Sequence, residues 1–437
     1  MDYHYLLSKF ILLLLVSLSC VYLCTLFLKN PLERQFLYLM SLGVFVWSGI
    51  GGTIQIVEWQ YLSMFCGFFI LLTGSFTLSL RLLNKHWKLN GFNQEDWALN
   101  EKFWQGFVVF FLLFSLFPLV YPEFKLMRLI NPPAPDLMRV VENRLKDTGD
   151  TLPEVLFYYA SVLIFPFFLF SLSSLGRKWI LVIFALIFYY YTKYCVSAYL
   201  PRHEMGMLLI IIFLYLWNWR IIPRQLIILF SLAGLPLLIF FFNIYNSIRM
   251  GAEVNMAFGA TGIIVSLIEL FYQETFYPIL VNDLLRSEHS QEIGRYLKWI
   301  VSLPIPSTWT SNWDYLRINH EFTEFVTGGV FGQTVLTILL PGILGEAIYI
   351  FGKSLWWIHA ISIGMVVAVV CYIMRMDRRL FFVMTYYQLQ AMILGRGGAA
   401  MFFILIINYM LLFWPFLAFL YFRSRKARRQ FMMPDPA

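Results

Sequence analysis

The stretch Trp309-Thr-Ser-Asn-Trp-Asp-Tyr-Leu-Arg-Ile-Asn-His-Glu-Phe-Thr-Glu324 is polar and aromatic, and the rest of the chain is interpreted around it. It lies within the segment from Asn243 to Ser354, which carries ten carboxylates and separates long apolar runs. Of the 437 residues in the chain, 60% are hydrophobic and only 13% are charged. A water-soluble fold cannot bury that much apolar surface. The sequence therefore predicts a membrane protein with one large polar segment outside the membrane.

The apolar runs predict membrane-spanning helices. A helix of about 20 residues crosses a hydrocarbon core of about 30 Å, and the runs lack the alternating pattern of barrel strands. We predict an all-α, polytopic integral membrane protein with about 11 transmembrane helices. The predicted spans are 8–28, 36–57, 61–80, 103–121, 155–175, 179–199, 205–219, 225–243, 356–374, 380–395 and 400–421.

Basic residues at the ends of the apolar runs predict the orientation. The net charge of +8 is not gathered on one surface, so it does not favour nucleic-acid binding. If the basic tail from Arg423 to Arg429 is cytoplasmic, 18 basic residues fall on its side of the membrane. The short loops of the opposite side hold two, Arg202 and Arg396. Because positive loops stay in the cytoplasm, we predict a cytoplasmic C-terminus and an external N-terminus.

We predict a single integral membrane domain, 1–437, with two external loops of substantial length. The smaller loop is 122–154, and the larger segment is 244–355. Within the larger one, 258–281 and 330–351 are apolar but are interrupted by carboxylates and prolines. Irregular backbone at membrane depth needs cover from protein or a water-filled cavity. We therefore predict re-entrant or interfacial helices there, with two further full spans as the alternative.

Cations near the external ends of the spans predict an anion-binding site. Arg202 and His203 lie in a turn between spans, Arg249 lies at a span exit, and Arg396 lies in a glycine turn. Lys193 lies inside a span, where a cation costs about 3 kcal/mol unless it faces a cavity or a partner. Guanidinium groups match phosphate oxygens bidentately. These five residues are candidate ligands of a pyrophosphate; the alternative is that each anchors a lipid head group.

The opening stretch also carries groups that could accept a proton. Asp314, His320 and Glu321, with Glu324 behind them, combine carboxylates with an imidazole, as activation of a sugar hydroxyl requires. Their spacing is not that of a firm metal site, so we predict neither a metal nor a cofactor. The alternative is a solvated loop with ordinary salt bridges.

Aromatic residues in the same stretch are candidates for binding sugar. Flat rings with polar tips suit stacking on pyranose faces. The candidate residues are Trp309, Trp313, Tyr315 and Arg317.

Four segments in the second half of the chain follow Arg249, which lies at a span exit. The segments are Phe271-Tyr-Gln-Glu-Thr-Phe-Tyr-Pro-Ile-Leu-Val-Asn-Asp-Leu-Leu285, Ser302-Leu-Pro-Ile-Pro-Ser-Thr-Trp309, Gly328-Gly-Val330 and Leu344-Gly-Glu-Ala-Ile-Tyr-Ile-Phe-Gly352. In this order they resemble the O-antigen polymerases, the Wzy-type polymerases of oligosaccharide repeat units. Arg317 and Gly328 also match an arginine, ten residues, glycine arrangement described in some members of that family.

The resemblance implies a metal-independent glycosyltransferase at the periplasmic face of a bacterial inner membrane. A growing polysaccharide would pass from undecaprenyl pyrophosphate to an incoming lipid-linked repeat unit, with Glu321 or His320 as base. The implied partners are undecaprenyl-pyrophosphate-linked repeat units, membrane lipid, a Wzz-type chain-length regulator and a ligase. One alternative is an O-antigen ligase, which transfers to lipid A core. Another is a lipid-linked oligosaccharide flippase, for which short loops, inverted repeats and charges along the spans are expected.

Overall fold

The computed structural model describes residues 3–50, 59–86, 125–134, 165–175, 180–198, 225–230, 291–305, 309–310, 312–330, 340–375 and 380–431, with isolated positions between them. These residues form helices and connecting turns, with no strand among them. The chain divides into two compact units, Met1–Gly91 with Tyr272–Trp414 and Phe92–Phe271 with Pro415–Ala437. The prediction of a single integral membrane domain stays a prediction.

The helices follow one another with bounds set by local chemistry. The second helix of the chain begins at Pro31, five residues before the predicted span 36–57. Asn30 caps it by accepting the Leu32 N–H at 2.9 Å, and proline suits the first helical position. A π-helical segment, Phe45–Ile50, continues this helix. In chain order the helices are α1 Tyr3–Phe27, α2 Pro31–Val44, α3 Trp59–His86, α4 Met127–Ile130, α5 Phe165–Leu175, α6 Ile180–Ser197, α7 Ile293–Ser302, α8 Ile318–Thr327, α9 Gly342–Met374, α10 Phe381–Ile407 and α11 Phe413–Phe431.

Among the described residues, 4 helices are long and apolar enough to cross a membrane. They contain most of the predicted spans 8–28, 61–80, 356–374 and 380–395, although the last two helices extend well beyond these bounds, so the all-α, membrane-embedded class is confirmed. Ile183–Val196 in α6 and Phe413–Phe422 in α11 are shorter apolar helices. Spans 103–121, 205–219 and 225–243 lie largely outside the described residues, so the number of about 11 stays a prediction. The candidate spans are Leu7–Phe27, Trp59–His86, Gly342–Met374 and Phe381–Ile407.

The predicted single span 400–421 is wrong as one helix. α10 ends at Ile407, and α11 begins at Phe413. Pro415 explains the interruption, because proline inside a continuous helix clashes with the carbonyl four residues earlier. In the first turn of a new helix it is tolerated. The Trp414 indole N–H donates to the Ile406 carbonyl at 2.7 Å across the interruption.

α9 and α10 are each a helical hairpin. Gly352 breaks α9 with φ 75° and ψ 178°, and Gly398 breaks α10 with φ 72° and ψ −178°. Across the first break, Glu346 Oε1 lies 3.6 Å from His359 Nε2, although thirteen residues of straight helix rise about 20 Å. Across the second, the Tyr387 hydroxyl donates to the Leu405 carbonyl at 3.1 Å. The chain therefore reverses at both glycines. The second turn lies at Gly398, and Arg396, which we predicted to lie in the turn, belongs to the helical arm before it.

Small residues let the helices of the first unit approach closely. A Cβ added to Gly43 of α2 would overlap the Met392 carbonyl of α10, and one added to Gly395 would overlap the Gly43 carbonyl. The Ser48 hydroxyl donates to the Gly395 carbonyl at 2.8 Å in the same crossing. Close approach of backbones at small residues is a usual mode of helix packing in membranes. This crossing fixes the Gly398 turn against the end of α2.

Helix α4 and the extended residues after it pack on the end of α6 in the second unit. The Tyr194 hydroxyl donates to the Pro133 carbonyl at 2.7 Å, and Arg128 Nη1 donates to the Val196 carbonyl at 3.3 Å. The Phe167 and Phe170 rings of α5 lie 5.2 and 5.7 Å from the Phe416 ring. The start of the predicted loop 122–154 is thus held at the end of α6 that we predicted to be external.

A buried ion pair joins three loops that we predicted to be cytoplasmic. Arg375 donates to the Glu33 carboxylate and to the Asn84 amide oxygen, and the Asn84 amide also donates to Glu33 at 3.2 Å. The Glu33 side chain is only 1% exposed. These three residues therefore lie at one end of the first unit, which confirms that their loops share a side.

Arg375→Ala is expected to lower the free energy of unfolding by about 3 kcal/mol, because it leaves the Glu33 carboxylate buried without its counter-charge. The measurement is thermal or denaturant unfolding of the detergent-solubilised protein. Arg81→Ala is the matched control, since Arg81 is exposed and its guanidinium lies over the Phe27 ring at 5.4 Å. We expect about 0.5 kcal/mol or less for the control. Equal losses in the two variants would contradict the role assigned to the ion pair.

Candidate functional site

The predicted sugar-binding residues lie on the connection between α7 and α8 and are largely exposed. Trp309 is 76% exposed and Trp313 is 42% exposed. The Arg317 guanidinium lies over the Tyr315 ring at 5.4 Å, and its Nη2 donates to the Tyr315 hydroxyl at 3.3 Å. We call Trp309, Trp313, Tyr315 and Arg317 the aromatic platform. Its rings and its guanidinium are the groups that stack on sugars and bind their hydroxyls.

Two of the predicted catalytic carboxylates meet on one guanidinium, that of Arg295 in α7. Its Nε donates to Asp314 at 2.8 Å, and its Nη1 and Nη2 donate to the two oxygens of Glu321, each at 2.9 Å. Nη1 also donates to Glu292 at 3.3 Å. Burial lowers the pKa of Arg295, but the hydrogen bonds to Glu321 and Asp314 outweigh burial, so this pKa lies above its ordinary value. Arg295 thereby ties α7 to α8 beneath the aromatic platform.

Both oxygens of the Glu321 carboxylate accept hydrogen bonds. Besides both bonds from Arg295, its Oε1 accepts the backbone N–H of Arg317 at 3.0 Å, at the start of α8. A carboxylate with both oxygens in charge-assisted hydrogen bonds gives up bonds when it takes a proton. Glu321 is therefore better suited to positioning than to proton transfer.

His320 is the stronger candidate base. Its side chain is half-buried in α8. Burial, and next the charge of Arg317, lower the pKa of His320 below its ordinary value, against smaller opposing effects of Glu324 and Glu321. The imidazole is consequently neutral at pH 7, which is the form that accepts a proton.

The structure describes two of the five predicted pyrophosphate ligands. Arg396 is half-buried in the first arm of α10, with its guanidinium 5.9 Å from the centre of the Trp47 ring. Lys193 is half-buried in α6, in the other unit, with its ammonium 5.9 Å from the centre of the Tyr190 ring. Arg202, His203 and Arg249 lie outside the described residues. The shared pyrophosphate site stays a prediction.

A buried cluster that was not predicted from the sequence lies inside the two hairpins. Glu346 is 0% exposed; its Oε1 accepts the Tyr296 hydroxyl at 3.1 Å, and its Oε2 accepts the Ala400 N–H at 3.2 Å. His359, which is 1% exposed, places Nε2 at 3.6 Å from the same Oε1. We call Tyr296, Glu346, His359 and the Ala400 N–H the Glu346 cluster. A carboxylate within an apolar run is by default a functional hypothesis, and that signal could have found it.

Three elements build the Glu346 cluster. Glu346 lies on the first arm of α9, and it meets the start of the second arm of α10, where unpaired N–H groups favour an anion. The lack of a Cβ at Gly398 permits this approach, because a Cβ there would overlap Glu346 Oε2. Tyr296 reaches the cluster from α7. Burial, and then the Glu346 charge, raise the pKa of Tyr296 well above its ordinary value, so its hydroxyl stays a donor.

Lys9 in α1 is a second feature that the sequence search missed. Its side chain is 1% exposed, and its ammonium lies 5.2 Å from the centre of the Trp59 ring. Trp59 begins α3 at an end that we predicted to be external. Lys9 is therefore a buried cation near an end of α1 that we predicted to be external.

Among the described residues, no group of three or more His, Cys, Asp or Glu is arranged to hold a metal ion. Comparisons of the chain with protein-family models, with curated proteins and with solved structures give no match. The function therefore has to be inferred from the residues themselves and from their geometry.

Proposed function

We propose that the chain is a glycosyltransferase that polymerises undecaprenyl-pyrophosphate-linked repeat units into O-antigen or a related surface polysaccharide. The observation that carries the proposal is the pair of exposed tryptophans on the stretch of chain that also carries His320 and the carboxylates bound by Arg295. A membrane protein that keeps two tryptophans exposed on a polar segment has a surface suited to a sugar chain. The resemblance of its second half to the O-antigen polymerases supports the same class.

The proposed reaction assigns a role to each group. The bond from the anomeric carbon to the pyrophosphate oxygen breaks, and a bond from that carbon to the acceptor hydroxyl oxygen forms. His320 takes the hydroxyl proton, while Asp314 and Glu321 hold the segment in place through Arg295. The departing pyrophosphate carries the developing negative charge, which Arg396 would stabilise together with the predicted ligands Arg202, His203, Arg249 and Lys193. This chemistry requires neither a metal nor a cofactor.

The proposed setting is a bacterial inner membrane with the 244–355 segment in the periplasm and the C-terminus in the cytoplasm. The ten residues Gly342–Phe351, all buried, rise about 15 Å before the chain reverses at Gly352, and this is about half of a hydrocarbon core. That length supports the re-entrant interpretation of 330–351. The lipid-linked repeat units would approach from the outer leaflet, and a Wzz-type chain-length regulator and a ligase remain the proposed protein partners.

Trp309→Ala is expected to slow polymerisation about tenfold, the equivalent of about 1.4 kcal/mol of lost stacking in the transition state. Because Trp309 is 76% exposed, the unfolding temperature should not change. The measurement is the length distribution of the polysaccharide in the producing cell, beside the unfolding curve of the purified variant. Trp357→Ala is the matched control, since Trp357 is 42% exposed on α9, away from the platform in sequence. Unchanged chain lengths in a Trp309→Ala, Trp313→Ala double variant would count against the platform.

The rate should fall on the acid side as His320 becomes protonated. Since the pKa of His320 is lowered from 6.5, the neutral base persists as the pH drops from 7 and is lost only below that ordinary value. His320→Gln is expected to reduce turnover by about 10² to 10⁴ and to remove this acid limb. The measurement is the pH profile of repeat-unit joining by purified protein. An acid limb that survives in His320→Gln would assign the base to another group.

A lipid-linked oligosaccharide flippase is the second candidate function, and one observation favours it. Transporters bind substrates and ions at broken helices near the membrane midplane, and α9 and α10 are broken beside the buried Glu346 cluster. Reconstituted vesicles separate the two candidates. A flippase moves labelled lipid-linked units across the bilayer without joining them, whereas a polymerase joins units in the leaflet where they are supplied.

A further inference from the structure

We propose that Glu346 and His359 form an intramembrane proton-binding site that holds one proton between them. The site goes beyond the proposed glycosyl transfer and does not depend on it. It uses none of the residues assigned to sugar, acceptor or pyrophosphate. Its ligand is a proton taken from the external water.

The first line of support is the hydrogen-bond geometry. Glu346 accepts at both oxygens, from the Tyr296 hydroxyl at 3.1 Å and from the Ala400 N–H at 3.2 Å. His359 Nε2 lies 3.6 Å from Oε1, beyond hydrogen-bond distance, and it has no other hydrogen-bond partner among the described residues. A buried nitrogen without a partner is costly, and the carboxylate is the polar group beside it. A proton between these two atoms would satisfy both.

The second line of support is the set of groups that face the pair. From α7 comes the Tyr296 hydroxyl, which is a donor, and from α10 come the backbone N–H groups at the start of its second arm. The Phe351 and Tyr296 rings enclose the His359 ring, with centres 5.4 and 5.9 Å away. Arg396 lies on α10 two residues before the Gly398 turn, with its guanidinium over the Trp47 ring. Among the described residues, His359 is the basic group that lies within 4.0 Å of the Glu346 carboxylate.

The third line of support is the net charge of the site. With Glu346 ionised and His359 neutral, the site carries one net negative charge at 0% and 1% exposure. Charges at such depth are strongly disfavoured unless they are paired. One proton neutralises the site, either as an imidazolium that donates to Oε1 or as a carboxylic acid that donates to Nε2. A second proton would restore a net charge, so the pair binds one and titrates as a unit.

The pair also connects the two arms of one hairpin. Glu346 lies on the first arm of α9 and His359 on the second, while the Glu346 oxygen that is not near His359 holds α10. Proton binding therefore tightens the contact across the Gly352 turn. Proton release leaves a buried negative charge that must be accommodated at the junction of three helices.

The test is the pH dependence of unfolding of the full chain in detergent micelles. Above the ordinary imidazole pKa of about 6.5 the unfolded chain holds no proton at these two groups, whereas the folded pair keeps one, so the stability that the site contributes is lost as the pH rises through the titration of the site. Below the ordinary carboxyl range the unfolded chain binds a second proton that the folded pair does not, so stability falls there as well. One proton changes the unfolding constant by up to tenfold per pH unit. We expect the slope above about pH 6.5 in the wild type and its loss in Glu346→Gln. In His359→Asn the carboxyl alone holds the proton, so the slope should end at a lower pH than in the wild type. The double variant should match Glu346→Gln.

A direct proton count gives a second readout. His359→Asn leaves both hydrogen bonds to Glu346 in place, so a folded variant remains to be compared with the wild type. Over the titration range, the wild type should take up one more proton per chain than Glu346→Gln, and His359→Asn should take up its proton at a lower pH than the wild type. Proton uptake by Glu346→Gln equal to that of the wild type, or a titration midpoint in His359→Asn equal to that of the wild type, would overturn the proposal. The second result would leave Glu346 as a lone buried acid that caps α10.

Discussion

Replacing Gly398 with alanine is expected to destabilise the first unit by about 3 kcal/mol or more. Gly398 has φ 72° and ψ −178°, a conformation that is open to glycine and strained for alanine. The new Cβ would also overlap Glu346 Oε2, which accepts the Ala400 N–H. The carboxylate cannot move away without losing that bond and leaving a buried donor unpaired. Backbone strain and steric overlap of the new Cβ therefore both destabilise the Gly398→Ala variant.

The measurement is the unfolding midpoint of purified Gly398→Ala against that of Gly74→Ala. Gly74 lies within α3, and a Cβ added there meets no atom within 4 Å. Alanine suits a helix better than glycine, so the control should be neutral or more stable by about 0.5 to 1 kcal/mol. A Gly398→Ala variant as stable as Gly74→Ala would contradict the hairpin at this position.

Arg396→Ala is expected to reduce glycosyl transfer by about 10² to 10³, as loss of one preplaced donor does in other enzymes. Arg396 lies in the first arm of α10, two residues before the Gly398 turn, at a position that we predicted to be external. Negative charge grows on the pyrophosphate as the glycosidic bond breaks, and a fixed cation lowers the energy of that transition state. Arg396→Lys keeps the charge but not the planar fork, so it should fall between the wild type and the alanine variant.

The pattern of lipopolysaccharide in the producing cell distinguishes the outcomes for Arg396→Ala. Lipopolysaccharide with a single capped repeat indicates that polymerisation is lost. Core without any repeat indicates a ligase instead. A normal lipopolysaccharide banding pattern, in a variant that is folded and inserted, would show that Arg396 is not part of the proposed pyrophosphate site.

Local patterns in the sequence predicted the helical class, the turn at Gly398 and the shared side of three loops. Apolar runs and flanking charges are made by consecutive residues, so they can be recognised in the sequence without knowledge of the fold. The break before α11 was missed, because Pro415 lies in an apolar run that is otherwise long enough to span. Its effect depends on where the preceding helix stops, and no strong local signal marks that point.

The Glu346 cluster and the Arg295 ion pairs could not be predicted from spacing. Tyr296 and Glu346 are 50 residues apart, and Arg295 and Glu321 are 26 apart. Glu346 reaches His359 only because the chain reverses at Gly352, and it reaches Ala400 only because α10 reverses as well. In the sequence, Glu346 is visible only as an interruption of an apolar run. Its partners come from three elements, which the fold alone brings together.

Joining of repeat units by the purified chain tests the central claim most directly. The full-length protein would be placed in lipid nanodiscs with undecaprenyl-pyrophosphate-linked oligosaccharide as the sole glycan, and without added metal. The proposed function predicts a ladder of products that differ by one repeat unit, with release of undecaprenyl pyrophosphate, and a shorter ladder for Trp309→Ala. A folded protein that binds the lipid-linked unit but forms no glycosidic bond, or that only moves it across a vesicle bilayer, would contradict the account.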